Sequence, residues 1–188
     1  MNSKVKLPLQ VTVALSMLAA VSIVMGKYLA FGVGDILRFS FENLPVLFAG
    51  IAFGPIAGLL VGAVADLVGC LLVGYAVNPL VTVGAALIGL VGGAVYRLAF
   101  LFGIKRRSTR IILSVALGHL IGSVAVKTLG LAIFYSMPIP VLMLWRILNY
   151  AIVGLLEGVI LVALMQNKSL VHQLSAMKGG RGEKKKEE

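Results

Sequence analysis

The chain has 188 residues, of which 60% are hydrophobic and only 13% charged, and its mean hydropathy is +1.03. Soluble domains carry about 45–50% apolar and about 25% charged residues, so this composition excludes a soluble globular enzyme, a disordered chain and a disulfide-stapled secreted module. The net charge of +10 does not mark a nucleic-acid binder, because the basic residues are confined to a few short stretches.

The length suits one domain. A membrane-spanning helix needs roughly 20 apolar residues, and six of them joined by short loops would take up nearly all of this chain. In chain order, the apolar segments are Leu7–Leu29, a shorter Arg38–Phe53, Pro55–Val73, Pro79–Leu101, Arg110–Phe134 and Pro140–Gln166. Turn chemistry separates them at Gly54-Pro55, Asn78-Pro79 and Pro138-Ile139-Pro140, and Gly32-Val33-Gly34-Asp35 opens the first long connection. The first segment, preceded by Lys4 and Lys6, superficially fits a signal peptide, but it is too long for a signal core and five further segments follow. It is read as an uncleaved helix. The predicted fold is therefore all-α: a polytopic membrane protein with six transmembrane helices over residues 1–166 and a basic tail over 167–188.

The charges orient it. Lys4 and Lys6, then Lys105, Arg106, Arg107 and Arg110, then Lys168, Lys178, Arg181 and Lys184–Lys186 fall on one side of a six-span topology. The connections on the other side are nearly free of Lys and Arg. By the positive-inside rule both termini are cytoplasmic.

Helices in lipid pack through small residues that let backbones approach. The third segment carries Gly54, Gly58, Gly62, Asp66, Cys70 and Gly74 at every fourth position, and the fourth carries Gly84, Gly89, Gly92 and Gly93. Both read as internal packing surfaces. On the first segment Ser16 and Ala20 lie four apart with Ala19 beside them, a small stripe that suits another subunit as well as the bundle.

Ionisable residues within spans are expensive and usually functional. Asp66 falls near the middle of the third segment; Lys127 and Arg146 fall in the outer halves of the fifth and sixth; His119 and Glu157 lie deeper. His119, Ser123 and Lys127 share one helical face, and Arg146, Asn149 and Tyr150 share another. A short loop makes these two helices antiparallel neighbours, so the two polar faces are expected to line one cavity open to the outside. Two readings stay open for several residues. His119 and Glu157 suit an internal pair, Asp66 a partner for Arg38 or Lys127, Lys27 snorkelling to the headgroups, and Trp145 and Tyr135 an interfacial belt. Lys127 and Arg146 have no acid nearby on their own helices, which points to an anionic ligand.

Catalytic signatures are missing. The sequence has no phosphate-binding G-x-x-x-x-G-K-[ST] loop and no H-E-x-x-H zinc motif. Its single cysteine, Cys70, supports neither a disulfide framework nor a zinc cluster. The chain is not expected to be an enzyme or to bind a metal.

The stretch Ile36-Leu37-Arg38-Phe39-Ser40-Phe41-Glu42-Asn43-Leu44-Pro45, followed by Ala49-Gly50, Phe53-Gly54-Pro55, Gly58, Gly62, Ala65-Asp66-Leu67-Val68-Gly69 and Asn78-Pro79, resembles the substrate-binding S components of energy-coupling factor (ECF) vitamin transporters, the folate-specific branch in particular. The resemblance implies a six-helix protein of the bacterial cytoplasmic membrane that binds its vitamin from outside. It implies docking on a transmembrane coupling subunit joined to two ATPases, so that ATP is used by the partners and this chain needs no cofactor. Docking in the family uses a small-residue stripe on the first helix, here matched by Ser16 and Ala20, with Ala19 adjacent, only as small-x-x-x-small. For folate, Lys127 and Arg146 are expected to take the carboxylate tail, Arg38, Asp66, Asn78 and Asn149 the polar edge of the pterin, and Trp145 and Tyr75 its faces. Alternatives are an S component for another small metabolite (pantothenate, riboflavin or a queuosine precursor) and a ligand-free structural membrane protein.

Overall fold

The computed structural model describes residues 8–33 and 37–179. Helix α1 (Leu9–Ile23) continues without a break into a π-helical turn, Val24–Tyr28. Strands β1 (Phe31–Val33) and β2 (Leu37–Phe39) form a small antiparallel hairpin, in which Gly32 pairs with Arg38. Then come α2 (Asn43–Phe53), α3 (Pro55–Val73), α4 (Pro79–Leu101) and α5 (Arg107–Gly118). A second π-helical segment, His119–Val126, joins α5 to α6 (Lys127–Tyr135). Helices α7 (Ile139–Gln166) and α8 (Lys168–Gly179) follow.

Among the described residues, five helical stretches are long and apolar enough to cross a membrane: Leu9–Tyr28, Pro55–Val73, Pro79–Leu101, Arg107–Tyr135 and Ile139–Gln166. The expected six spans meet this count except at the second segment. There the hairpin takes Arg38 and Phe39, and α2 keeps 11 residues. At 1.5 Å per residue that helix is about 16 Å long, against about 30 Å of hydrocarbon. Of the basic tail, residues 168–179 form α8, whose Leu174 is buried against the core formed by Leu47, Ile51, Ile88, Ile111, Val115 and Leu161. Residues 180–188 lie outside the described part.

Proline at the first turn, where its missing N–H costs nothing, starts α3, α4 and α7. The small-residue stripes face inward. A Cβ on Gly58 would fall 2.5 Å from the Gly89 carbonyl oxygen, and one on Gly93 would fall 2.5 Å from that of Gly50. Gly62 faces the Ala85 carbonyl in the same way. These backbone contacts bind α2, α3 and α4 into one block, which holds the candidate site from one side.

Helix α1 packs Val11, Leu15 and Ala19 against Val46, Ala49, Ala57 and Val61. Ser16 and Ala20 are exposed, but Ala19 is buried. Ala19 is therefore corrected from the expected outer stripe to the core. One residue turns a helix by about 100°, which places it off the face that Ser16 and Ala20 share.

Candidate functional site

A cavity of about 280 Å³ opens between the α2–α4 block and the α6–α7 hairpin. Lys27, Ser40, Glu42, Asp66, Val81, Lys127, Leu131, Leu142, Trp145, Arg146, Asn149 and Tyr150 line it. A chamber of about 20 Å³ lies deeper, bounded by Ser22, Asn43, Gly62 and Ala85 and sharing Lys27, Glu42, Asp66 and Lys127 with the cavity above. It is large enough for one water molecule.

The charged side chains are held by packing as well as by partners. Lys127 Nζ donates to Glu42 Oε1 at 3.1 Å, and Lys127 is buried. Its stem runs beside Gly84, where a Cβ would fall 2.6 Å from Lys127 Cγ. Gly26 makes the same room for Glu42, whose Oε2 would lie 2.5 Å from a Cβ there. The Ser22 hydroxyl donates to the Glu42 carbonyl at 2.6 Å and fastens this corner to α1. Lys27 lies across Gly69, with Nζ donating to Cys70 Sγ at 3.6 Å and standing 5.7 Å from the Tyr75 ring centre. Asp66 Oδ2 accepts from the Thr82 hydroxyl at 2.6 Å. Among the described residues of this lining, three cations stand against two carboxylates.

Both π-helical segments adjoin the cavity. Such segments occur mostly as local insertions and often at functional sites. The first carries Lys27. The second ends where Lys127 begins α6. Within it, Ser123 offers its carbonyl to Arg146 Nη1 at 2.9 Å, and the guanidinium stands 6.0 Å from the Tyr150 ring centre. Below, His119 Nε2 and Glu157 Oε2 are 2.6 Å apart, both buried. The Ser123 hydroxyl lies 3.2 Å from His119 Nδ1, and Tyr150 stacks on the imidazole at 4.8 Å between ring centres. This is the internal pair expected of His119 and Glu157, and it ties α7 to the second π-helical segment.

The structure thus brings Asp66, Lys127, Trp145, Arg146 and Asn149 to one cavity. It does not bring Tyr75 or Asn78 there. Tyr75 is exposed. Asn78 caps α4, accepting from the backbone N–H groups of Leu80 and Val81 at 3.1 and 3.3 Å, and its Nδ2 donates to the Gly130 carbonyl at 2.9 Å. The Asn-Pro turn that drew attention to it is a helix start. The Arg38 side chain lies outside the described residues. Asp66 is partnered by Thr82 rather than through a direct ion pair with Lys127. Glu42, Lys27, Ser40 and Tyr150 join the site. Glu42 was visible only as an acid at the start of the second segment, because pairing across 85 residues leaves no local spacing signal.

The arrangement is a polar cleft within apolar helices, with paired charges at its floor and aromatic and amide groups on one wall. It has the means to bind a small molecule by hydrogen bonds and stacking. Residues 10–169 match the model of the ECF transporter, substrate-specific component family. No curated protein sequence matches the chain. Among solved structures the fold is similar to that of FolT bound with folic acid (TM-score 0.66, 24% identity, 83% of this chain and 92% of that one). It is also similar to ThiT from Listeria monocytogenes (TM-score 0.64, 16% identity, 87% and 97%). A third likeness is to the S component of a bacterial ECF transporter (TM-score 0.59, 20% identity, 85% and 95%). The chain belongs to the substrate-specific components of ECF transporters.

Proposed function

We propose that this subunit captures folate from outside a bacterial cytoplasmic membrane and delivers it to a separate transmembrane and ATPase module. The observation that carries the reading is the cavity that unites Lys127, Arg146, Asn149 and Trp145, in a fold similar to that of a protein bound with folic acid. In this reading the pterin enters between Trp145 and the α2–α4 block, Asn149 and Asp66 bond its edge, and the carboxylates meet Arg146 and Lys127. The chain performs no catalysis. Helix α2 with the preceding hairpin serves as the sixth, short span, both termini are cytoplasmic, and the exposed Ser16–Ala20 face of α1 docks on the coupling subunit.

Two observations favour a second reading, a less anionic metabolite. Both expected ligand-binding cations already have protein partners, Lys127 in Glu42 and Arg146 in the Ser123 carbonyl. The cavity volume, about 280 Å³, also falls just below the roughly 300–1,000 Å³ usual for small-molecule sites. Fluorescence titration separates the two. Trp145 is the single tryptophan and lines the cavity, so folate should quench it saturably, with competition by folate analogues and none by pantothenate. Absence of quenching together with absence of bound folate in equilibrium dialysis would overturn the folate reading.

A further inference from the structure

A second, larger hollow lies on the other side of α7. It is a groove of about 520 Å³ between α5 with its π-helical extension and α7, and it shares only Tyr150 with the cavity described above. It runs from Ser108 to Val124 on one helix and from Ile147 to Val162 on the other. Small residues create it. A Cβ on Gly158 would meet nothing within 4 Å, and one on Gly154 would touch only His119 and Val115 at 3.3 Å or more. Both walls belong to membrane-spanning stretches, so the groove opens on lipid rather than water.

From Ile147 to Val162 the helix rises about 22 Å at 1.5 Å per residue. Apart from Ser108, His119 and Tyr150 the lining is apolar, which suits a hydrocarbon chain. The groove's length exceeds the roughly 15 Å of one leaflet, as a long chain lying along the helices requires.

The charge at the Ser108 end supplies the second half of a ligand. Lys105, Arg106 and Arg107 precede Ser108 and are exposed, and Lys168 is exposed at the start of α8. Arg107 Nη1 donates to the Met165 carbonyl at 2.7 Å, which ties the ends of α5 and α7 together at this mouth. The first turn of α5 holds no acidic residue and has no side-chain cap, so its free N–H groups and positive dipole end also favour an anion. The sequence has no Asp or Glu between residues 67 and 156, and none between 158 and 182.

We propose that this groove is a binding site for an anionic phospholipid. One acyl chain lies between α5 and α7, and the phosphate sits on the basic residues at the start of α5. The chain's far end then reaches Tyr150, whose ring stacks on His119 and faces Arg146, so the lipid braces the outer wall of the substrate cavity from behind.

Native mass spectrometry of the delipidated protein, titrated with phosphatidylglycerol and with phosphatidylcholine of the same chains, tests this. Phosphatidylglycerol should be retained preferentially. K105Q/R106Q should weaken its retention roughly 30-fold, as expected for two basic residues at a lipid surface, and leave phosphatidylcholine unchanged. Gly158→Leu fills open space in the groove and should reduce retention of both lipids by roughly fivefold or more. The gel-filtration profiles of both variants should stay as in the parent. Equal retention of the two lipids overturns the proposal, as does equal binding of glycerol phosphate without acyl chains. Dimers that Gly158→Leu dissociates while lipid binding persists would assign the groove to a second copy of the chain.

Discussion

The two sides of the candidate cavity are built differently. On one side, α2, α3 and α4 meet backbone to backbone at Gly50, Gly58, Gly62, Gly89 and Gly93. On the other, the part of α7 that lines the cavity, Ile139–Tyr150, has no buried residue, and burial on this helix begins at Val153. Small residues in lipid let two helices approach until their backbones interlock, and such a surface tolerates no displacement. The α7 wall is held instead by directed bonds that include those of Arg146, His119 and Glu157, with Leu161 and Met165 anchoring its far half in the core. The comparison teaches that one half of the site is a fixed floor and the other a wall whose position depends on individual polar contacts.

The largest expected effect breaks the floor. Gly89→Leu would drive a side chain into the Gly58 backbone, where no flexible atom can yield. Overpacking a well-packed core costs about 1–3 kcal/mol and more where backbone is struck. The variant should give no monodisperse peak by gel filtration of the detergent extract, whereas Gly158→Leu should. Next comes the charge pair that spans floor and wall. Glu42→Gln leaves Lys127 buried without its carboxylate; because Glu42 itself is partly exposed, the cost falls below the about 3–5 kcal/mol of breaking a fully buried pair. A strongly lowered melting temperature is expected, and Glu42→Gln with Lys127→Met should recover most of it. If the double variant is no more stable than the single one, the pair does not couple the two sides.

Much of the floor was legible in the sequence and little of the wall's bonding was. Glycine every fourth residue on the third and fourth segments states a packing face directly, because one helix geometry fixes which side those positions share. The same reasoning placed Lys127 and Arg146 around one cavity, since both helices are long and joined by a short loop. It overlooked what those cations touch. Glu42 lies 85 residues from Lys127, and the Ser123 carbonyl is a backbone group within a π-helical segment that no residue pattern announced. Asn78 misled in the opposite direction, because an asparagine before a proline carries the same letters whether it caps a helix or meets a ligand. Ala19 shows the limit of spacing without a partner surface: the stripe on α1 was visible, and its orientation required the neighbouring Val46 and Val61.

A smaller effect tests the wall alone. Arg146→Ala removes the bond to the Ser123 carbonyl and the cation that the folate reading assigns to a carboxylate. A hydrogen bond involving a charged group contributes about 1.5–3 kcal/mol, equivalent to roughly 10- to 150-fold in affinity. Folate affinity should fall within that range, with gel filtration unchanged. Arg146→Lys should restore only part of it, because an ammonium offers no planar fork. An unchanged affinity in Arg146→Ala would remove this residue from the site.

The smallest effect separates stacking from charge on that same wall. Trp145 lines the cavity and is about one-third exposed, so Trp145→Phe keeps an aromatic face and sheds part of its area. An aromatic pair contributes about 0.5–1.5 kcal/mol beyond burial, so the loss on this substitution should stay below roughly tenfold, whereas Trp145→Ala should exceed the loss in Trp145→Phe. Both variants lack the fluorescent reporter, so dialysis with labelled folate supplies the measurement. If Trp145→Ala binds as the parent does while Arg146→Ala does not, the wall holds its ligand through charge, and the ring belongs to the membrane interface instead of the ligand.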